Sequence, residues 1–245
     1  MKSKQKFKVL TYNIQVAMAS KGVRHYLMHS WHHLLPHPHR EANLEQIAEL
    51  IRPYDIVGLQ ELDAGSFRSD YVNQTDHLAK LSNFNHSQHQ TTRNFGPLAQ
   101  HSKALLSRLP ILSYHHYSLP ARLRGRGVTT FTLGSLGQEI FVVNAHLSLG
   151  RRAQMEQLSF IADLIASHSN VIVMGDLNLT PNTLAHSPLS NLHSALKNIP
   201  TYPSWKPTKQ IDYILVSSSL RVVSSGVIPS DFSDHLPVFA ELELV

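Results

Sequence analysis

Short apolar runs along this chain alternate with stretches of helical period. "FKVLTY" (7–12) and "DIVGLQE" (55–61) read as strands buried on both faces. Between them, "EANLEQIAELIR" (41–52) places Leu44, Ile47, Ala48 and Ile51 at i, i+3, i+4 and i+7, which predicts an amphipathic helix. Further strands are predicted at 103–108, 111–119, 127–133 and 139–147. A second helix is predicted at 151–168, where Met155, Leu158, Ile161, Ala162 and Ile165 form one stripe. Strands follow again at 170–176, 211–217, 221–228 and 237–244. So many strands exceed what one small sheet uses. Strands apolar on both faces, with few helices, predict packed sheets covered by helices on the outside. No linker, composition break or repeat divides the sequence, so a single domain over residues 1–245 is expected.

Two segments carry no regular pattern. "MHSWHHLLPHPHR" (28–40) holds five histidines and two prolines; a loop with incidental histidines is expected there, able to pick up Zn²⁺ or Ni²⁺ adventitiously. Residues 187–210 are rich in Ser and Pro, and long loops in compact domains tend to serve function.

The polar residues fall at strand ends. "VLTYN" finishes on Asn13 and "IVGLQE" on Glu61; "FVVNAH" ends on His146 and "VIVMGDLN" on Asp176 and Asn178. "IDYILV" begins with Asp212, and "SDHLPV" sets Asp234 and His235 before the last strand. Any one of these is an ordinary turn former or helix cap. As a set they describe a site at one edge of the sheets, where strands hand over to loops. The chemistry fits hydrolysis of a phosphate ester. Glu61, with Asn13 and Asp234, offers oxygen ligands to a hard cation. Asp176 suits activation of a water, with Asn178 fixing water or phosphate. Asp212 beside His235 would favour an imidazolium able to stabilise phosphoryl charge, and His146 is a second imidazole for hydrogen bonding or leaving-group protonation.

Composition narrows this. A 42% hydrophobic fraction with 16% charged residues fills a core, and the formal charge of +5 favours acidic partners. The absence of cysteine excludes disulfides, thiolate metal sites and cysteine nucleophiles. No secretory h-region and no run of about 18 apolar residues is present, so a cytoplasmic protein without a transmembrane segment is expected. From His77 to Gln138 there is no acid, while Lys80, Arg93, Lys103, Arg108, Arg122, Arg124 and Arg126 lie there. Such a block can wall a polyanion; Arg122, Arg124, Arg126 and Lys103 are the candidate substrate contacts. Aromatic residues hardly interleave with it, so no stacking platform for single-stranded bases is expected.

"TYN" (11–13), "LQE" (59–61), "NAHL" (144–147), "GDLN" (175–178), "IDYIL" (211–215) and "SDHLPV" (233–238) occur in the order of the endonuclease/exonuclease/phosphatase superfamily. "SKALLSRLPI" (102–111) resembles its central strand signature, and the matches span nearly the full chain. The resemblance implies a four-layer α/β/β/α sandwich of two packed mixed β-sheets, and a phosphoester hydrolase using Mg²⁺, with Mn²⁺ as substitute. It makes Glu61 the metal carboxylate with Asn13 beside it, Asp234 part of the metal or supporting set, and Asp176 and Asn178 the handlers of the nucleophilic water. It also makes Asp212 the orienter of His235 and matches His146 to the imidazole of the deoxyribonuclease, sphingomyelinase and phosphatase branches. Gln15 stands where the abasic-site endonucleases carry an acid, and those enzymes lack a histidine at the position of His146. Both departures point away from abasic-site repair. The expected function is a monomeric phosphodiesterase with nuclease-type activity on DNA or RNA. A sphingomyelinase-like enzyme acting on phospholipid or phosphoinositide headgroups is the alternative, and a silent binding module a distant one.

Overall fold

The computed structural model describes residues 6–18, 39–119, 126–135 and 138–245. The described strands form two six-stranded mixed sheets. In the first, β1 (Lys6–Asn13) pairs in parallel with β2 (Ile56–Asp63) and antiparallel with β12 (Val238–Leu244). Outside these lie β11 (Leu220–Val227) on one side, and β4 (Gln100–Ser107) with the edge strand β3 (His86–Asn94) on the other. The second sheet runs in the order β5 (Ile111–Ser118), β6 (Gly127–Ser135), β7 (Gln138–His146), β8 (Val171–Asp176), β10 (Asp212–Val216) and β9 (His193–Ser194). Among the described residues four α-helices accompany them: α1 (His39–Ile51), α2 (Gln74–Leu81), α3 (Arg151–Ile165) and the short α4 (Pro181–Ala185).

Three apolar layers make the sandwich. Val9, Ile56 and Leu105 of the first sheet meet Phe131, Val142, Met174 and Ile214 of the second. On the outer face of the first sheet, Leu10, Val57 and Leu106 pack against Leu44, Ile47 and Ile51 of α1 and Leu78 of α2. On the outer face of the second, Val143, Val173 and Leu215 pack against Leu158 and Ile161 of α3. Alternate residues of one strand therefore serve different layers, as the two-residue period requires. The four-layer arrangement follows from strands that are apolar on both faces.

Two elements differ from the pattern-based expectation. The run "HSQHQTTRN" of β3 has no apolar alternation at all, yet it forms by pairing with β4 from His86↔Ser107 to Asn94↔Gln100. A half-buried polar edge strand is held by its neighbour's ladder, and a polar edge also resists pairing with other chains. Helix α2 starts at Asn73, whose Oδ1 accepts from the backbone of Thr75 (3.0 Å), but it buries Gln74 and Thr75 beside Leu78 and Ala79, a weak stripe.

The last residue of β2 is an anchor. Asp63 is buried and accepts from the backbone N–H of Gly65 (2.9 Å) and Ser66 (2.6 Å), from the Ser69 hydroxyl (2.9 Å) and from Arg68 Nε (2.5 Å). Burial raises its pKa, but the hydrogen bonds from Arg68 and Ser66 overcome that and hold it below the usual carboxylate range. The stabilisation is therefore complete above about pH 5 and fades as pH falls below the ordinary Asp value of about 3.9. Asp63→Asn is expected to cost about 2–4 kcal/mol at neutral pH. Thermal melting across pH 2–7 checks it: the variant's loss relative to wild type should shrink below about pH 4.

Among the described residues, no helix is long and apolar enough to cross a membrane.

Candidate active site

The strand directions bring the polar ends to one rim. β7 and β8 run parallel, so His146 and Asp176 finish side by side; β10 runs antiparallel to β8, so its first residue, Asp212, lies opposite Asp176. In the facing sheet Asn13 ends β1, and Asp234 and His235 precede β12, which runs antiparallel to β1. Glu61 sits where the β2–β4 register shifts between Leu59 and Leu62, with a left-handed φ of 56°. A bulge of this kind re-aims a side chain, here towards the rim. Its neighbour Gln60 is buried and donates to Asn144 Oδ1 at 2.8 Å, while Asn144 donates to Ala104 O at 2.7 Å. These bonds pin the two sheets together beneath the site.

Asp212 and His235 form the tightest functional pair. His235 Nδ1 lies 3.0 Å from Asp212 Oδ2, and Thr201 donates its hydroxyl to the same oxygen at 2.5 Å. The Tyr202 ring lies against the imidazole, centroids 4.9 Å apart. Burial lowers the His235 pKa, but Asp212 and then Asp176 outweigh it and lift the group to about 10. His235 is thus an imidazolium at neutral pH, with Nε2 3.9 Å from Asp176 Oδ2. Thr201 carried no signal in the sequence; it lies in the irregular segment that precedes Asp212.

Asp176 is the centre of the arrangement. Its Oδ1 accepts from Asn178 N (3.1 Å), and its Oδ2 from Asn13 Nδ2 (3.2 Å). Burial raises its pKa to about 7, with Asp212 and Glu61 adding to the rise and His235 opposing it. Asn178 adopts a left-handed φ of 53°, its side chain donating to Leu147 O at 3.1 Å. Asn13 also donates to Glu61 Oε1 at 3.2 Å and accepts from Gln15 N at 3.2 Å. The Gln15 side chain in turn accepts from Asp234 N (3.3 Å), and Ser233 donates to Asn13 O (2.7 Å). These contacts fasten the "SDH" turn to the end of β1. Asp234 is pushed to about 6, chiefly by burial.

His146 Nε2 lies 3.3 Å from Asp176 Oδ2 and 3.7 Å from Glu61 Oε1, and Arg126 Nη1 contacts the same nitrogen. Burial, then the charges of Arg126 and His235, hold its pKa well below the usual value, so the ring is neutral. Glu61, Arg126, His146, Asp176, Asp234 and His235 all line one cavity of about 760 Å³, which extends along the 198–211 segment.

The basic block disperses. Arg126 faces the cavity. Arg108 instead donates to the backbone oxygens of Tyr54, Arg52 and Asn83, clamping turns together. Lys103 corrects the surface-wall expectation: it is 2% exposed and donates to Asn144 O at 3.4 Å. On β4 it shares a face with Leu105, which points between the sheets. Arg122 and Arg124 lie outside the described residues, as does nearly all of the histidine-rich stretch.

Four carboxylates (Glu61, Asp176, Asp212, Asp234) therefore gather around two cations (His235, Arg126), an oxygen-rich and electron-rich set that suits a hard divalent ion. Ligand atoms of Asp176, Asp212 and His235 lie within 4.8 Å of one another. Asp212 is engaged by Thr201 and the imidazolium, and Asp176 by Asn13 and Asn178, so the carboxylates of the cavity wall best placed to meet a cation are Glu61 and Asp234.

Comparison with known proteins identifies the family and the fold. The model of the Endonuclease/Exonuclease/phosphatase family matches residues 10–235. No curated protein sequence matches the chain. A solved endonuclease/exonuclease/phosphatase protein from Beutenbergia cavernae is 23% identical with a TM-score of 0.76, covering 98% of this chain and 72% of that one. The mannosyl-6-phosphatase of Bacteroides thetaiotaomicron is 17% identical, TM-score 0.70, covering 96% and 99%. ANGEL2, a 2′,3′-cyclic phosphatase solved with adenosine-2′,3′-vanadate, is 15% identical, TM-score 0.73, covering 99% and 97%.

Proposed function

Because the chain belongs to the Endonuclease/Exonuclease/phosphatase family, whose model spans residues 10–235, we propose that it is a divalent-metal-dependent phosphodiesterase acting on nucleic acid. The observation that carries this is the line Asp212–His235–Asp176: Asp212, buried behind the cavity wall, pairs with an imidazolium that faces a buried carboxylate on that wall. Glu61 and Asp234, with Asn13 beside them, would hold Mg²⁺ or Mn²⁺. Such an ion supplies charge neutralisation at the phosphoryl oxygens and the leaving oxygen.

The chain's own groups do the rest. Asp176, fixed by Asn13 and Asn178, takes the proton of the attacking water, and its raised pKa strengthens it as a base. Nε2–H of His235 points into the cavity, where it offers a positive hydrogen bond to oxygens that gain charge in the transition state. Asp212 and Thr201 hold that ring in orientation. His146, neutral, sits where its ring N–H can donate to a phosphoryl or leaving-group oxygen, and Arg126 brings a permanent cation to the cavity wall. The formal charge of +5 and Arg126 favour a polyanionic substrate over a zwitterionic one.

A panel with Mg²⁺ tests the reading: single-stranded DNA, plasmid DNA, RNA, sphingomyelin vesicles and inositol phosphates. Cleavage of nucleic acid is the expected result. Turnover of sphingomyelin or inositol phosphates alone would move the substrate to a lipid or headgroup class. No turnover of any member would remove the hydrolase assignment.

A further inference from the structure

We propose that two loops beside Glu61 form a docking platform for the unpaired bases of a single-stranded nucleic acid; this rests on the nucleic-acid reading of the site. Phe67, Tyr71 and Val72 of the loop after β2, and Phe95 and Leu98 of the β3–β4 hairpin, are exposed large apolar side chains. Tyr71 and Leu98 are 66% and 58% open, and Phe95 47%. The loops are one surface: Phe67 N donates to Pro97 O at 2.7 Å and Arg68 N to Leu98 O at 3.3 Å. Phe67 and Tyr71 meet edge to face at 6.4 Å. Because β2 carries Glu61 and Asp63 pairs with His101 at the hairpin's base, the platform begins next to the cavity.

The platform is rigid. Asp70 and Tyr71 hold left-handed φ angles of 53° and 60°, and a bulky residue in that region is uncommon. Tyr71 N bonds Ser66 O at 2.9 Å, and Asp63 fastens Ser66 and Ser69 from below. Aromatic rings are thus kept in water by a loop fastened both by its own hydrogen bonds and by those to the hairpin. Fixed rings lose little entropy on stacking against a base.

Charge separates bases from a bilayer as the occupant. Adsorption to an anionic membrane needs a cluster of Lys and Arg. Residues 64–73 and 92–101 contain no lysine, and Asp70 is exposed among the aromatics. Their arginines are Arg68, buried against Asp63, and Arg93, its guanidinium 4.2 Å over the Phe95 ring. A ring with an arginine on one face offers a base its other face and a phosphate the cation. The sparse aromatic interleaving in the sequence concealed this, because the rings come from two loops far apart along the chain.

The test uses the full chain in EDTA, so that binding is read without cleavage. Fluorescence anisotropy compares a short fluorescein-labelled single-stranded DNA with an equal-length oligomer of base-free tetrahydrofuran units. Wild type is expected to bind the base-bearing strand at least about tenfold more tightly, and Tyr71→Asn/Phe95→Ala to lose that preference while binding the base-free strand as before. Asn tolerates the left-handed backbone at position 71, and unchanged thermal melting establishes that the variant folds. Equal affinity of wild type for both strands would overturn the platform while leaving the nucleic-acid reading of the cavity standing. Failure to bind either strand would overturn both. Binding to phosphatidylcholine vesicles that the double variant loses, with no base preference, would assign the surface to a membrane instead and overturn the proposal.

Discussion

Asp176→Asn is expected to lower phosphodiester turnover by about 10²–10⁴-fold without loosening the fold, the range removed with a positioned general base. The side chains are isosteric, so the change is one of charge and basicity. Asp176 Oδ2 accepts from Asn13 Nδ2 and its Oδ1 from Asn178 N, and an amide keeps at most one of these bonds. Burial and the neighbouring Asp212 and Glu61 already penalise the carboxylate, so removing its charge relieves repulsion. Melting temperature should therefore hold or rise while the rate falls. A drop in rate with a matching drop in melting temperature would make Asp176 a structural residue. An unchanged rate would remove it from the chemistry altogether.

Gly175→Ala has the largest expected effect on stability. Gly175 precedes Asp176 at φ 138°, and a Cβ built there would lie 1.9 Å from Ala145 O, a backbone atom of the adjacent strand. Ala145 is its register partner, so β8 cannot accept the methyl without leaving β7. That disruption falls where His146 and Asp176 are set side by side. A cost of at least about 4 kcal/mol is expected, a large share of a typical domain's total stability. Gly134→Ala is the control: its Cβ would meet only Leu112 side-chain carbons at 3.4 Å or more, ordinary contact. Urea denaturation of both variants should show Gly175→Ala unfolded or nearly so and Gly134→Ala within about 1 kcal/mol of wild type. Equal stabilities would mean that the glycine of "GDLN" is dispensable to the strand pairing.

The sequence revealed the strands that carry the site because they are apolar on both faces and stop abruptly on polar groups. "VIVMGD" and "IDYILV" are the clearest cases, and their antiparallel pairing puts Asp176 opposite Asp212. The edge strand β3 was not legible, since a strand with no buried face has no alternation to read. Lys103 was legible in principle: it lies two residues before Leu105, so the period of the strand puts both between the sheets. Thr201 and the platform rings were out of reach, because each gains its role from contacts made across loops that no periodicity describes. The bulge that aims Glu61 is likewise a matter of pairing register rather than of residue type.

The central claim is that the carboxylate-rich cavity hydrolyses phosphodiesters with a divalent ion held by this chain. The most direct measurement is cleavage of single-stranded DNA by the purified protein after EDTA treatment, then after Mg²⁺ is returned, alongside Glu61→Gln. EDTA is expected to abolish cleavage, Mg²⁺ to restore it, and Glu61→Gln to require a much higher Mg²⁺ concentration for the same rate. Cleavage that persists undiminished in EDTA, or a Mg²⁺ requirement unaltered in Glu61→Gln, would contradict that claim.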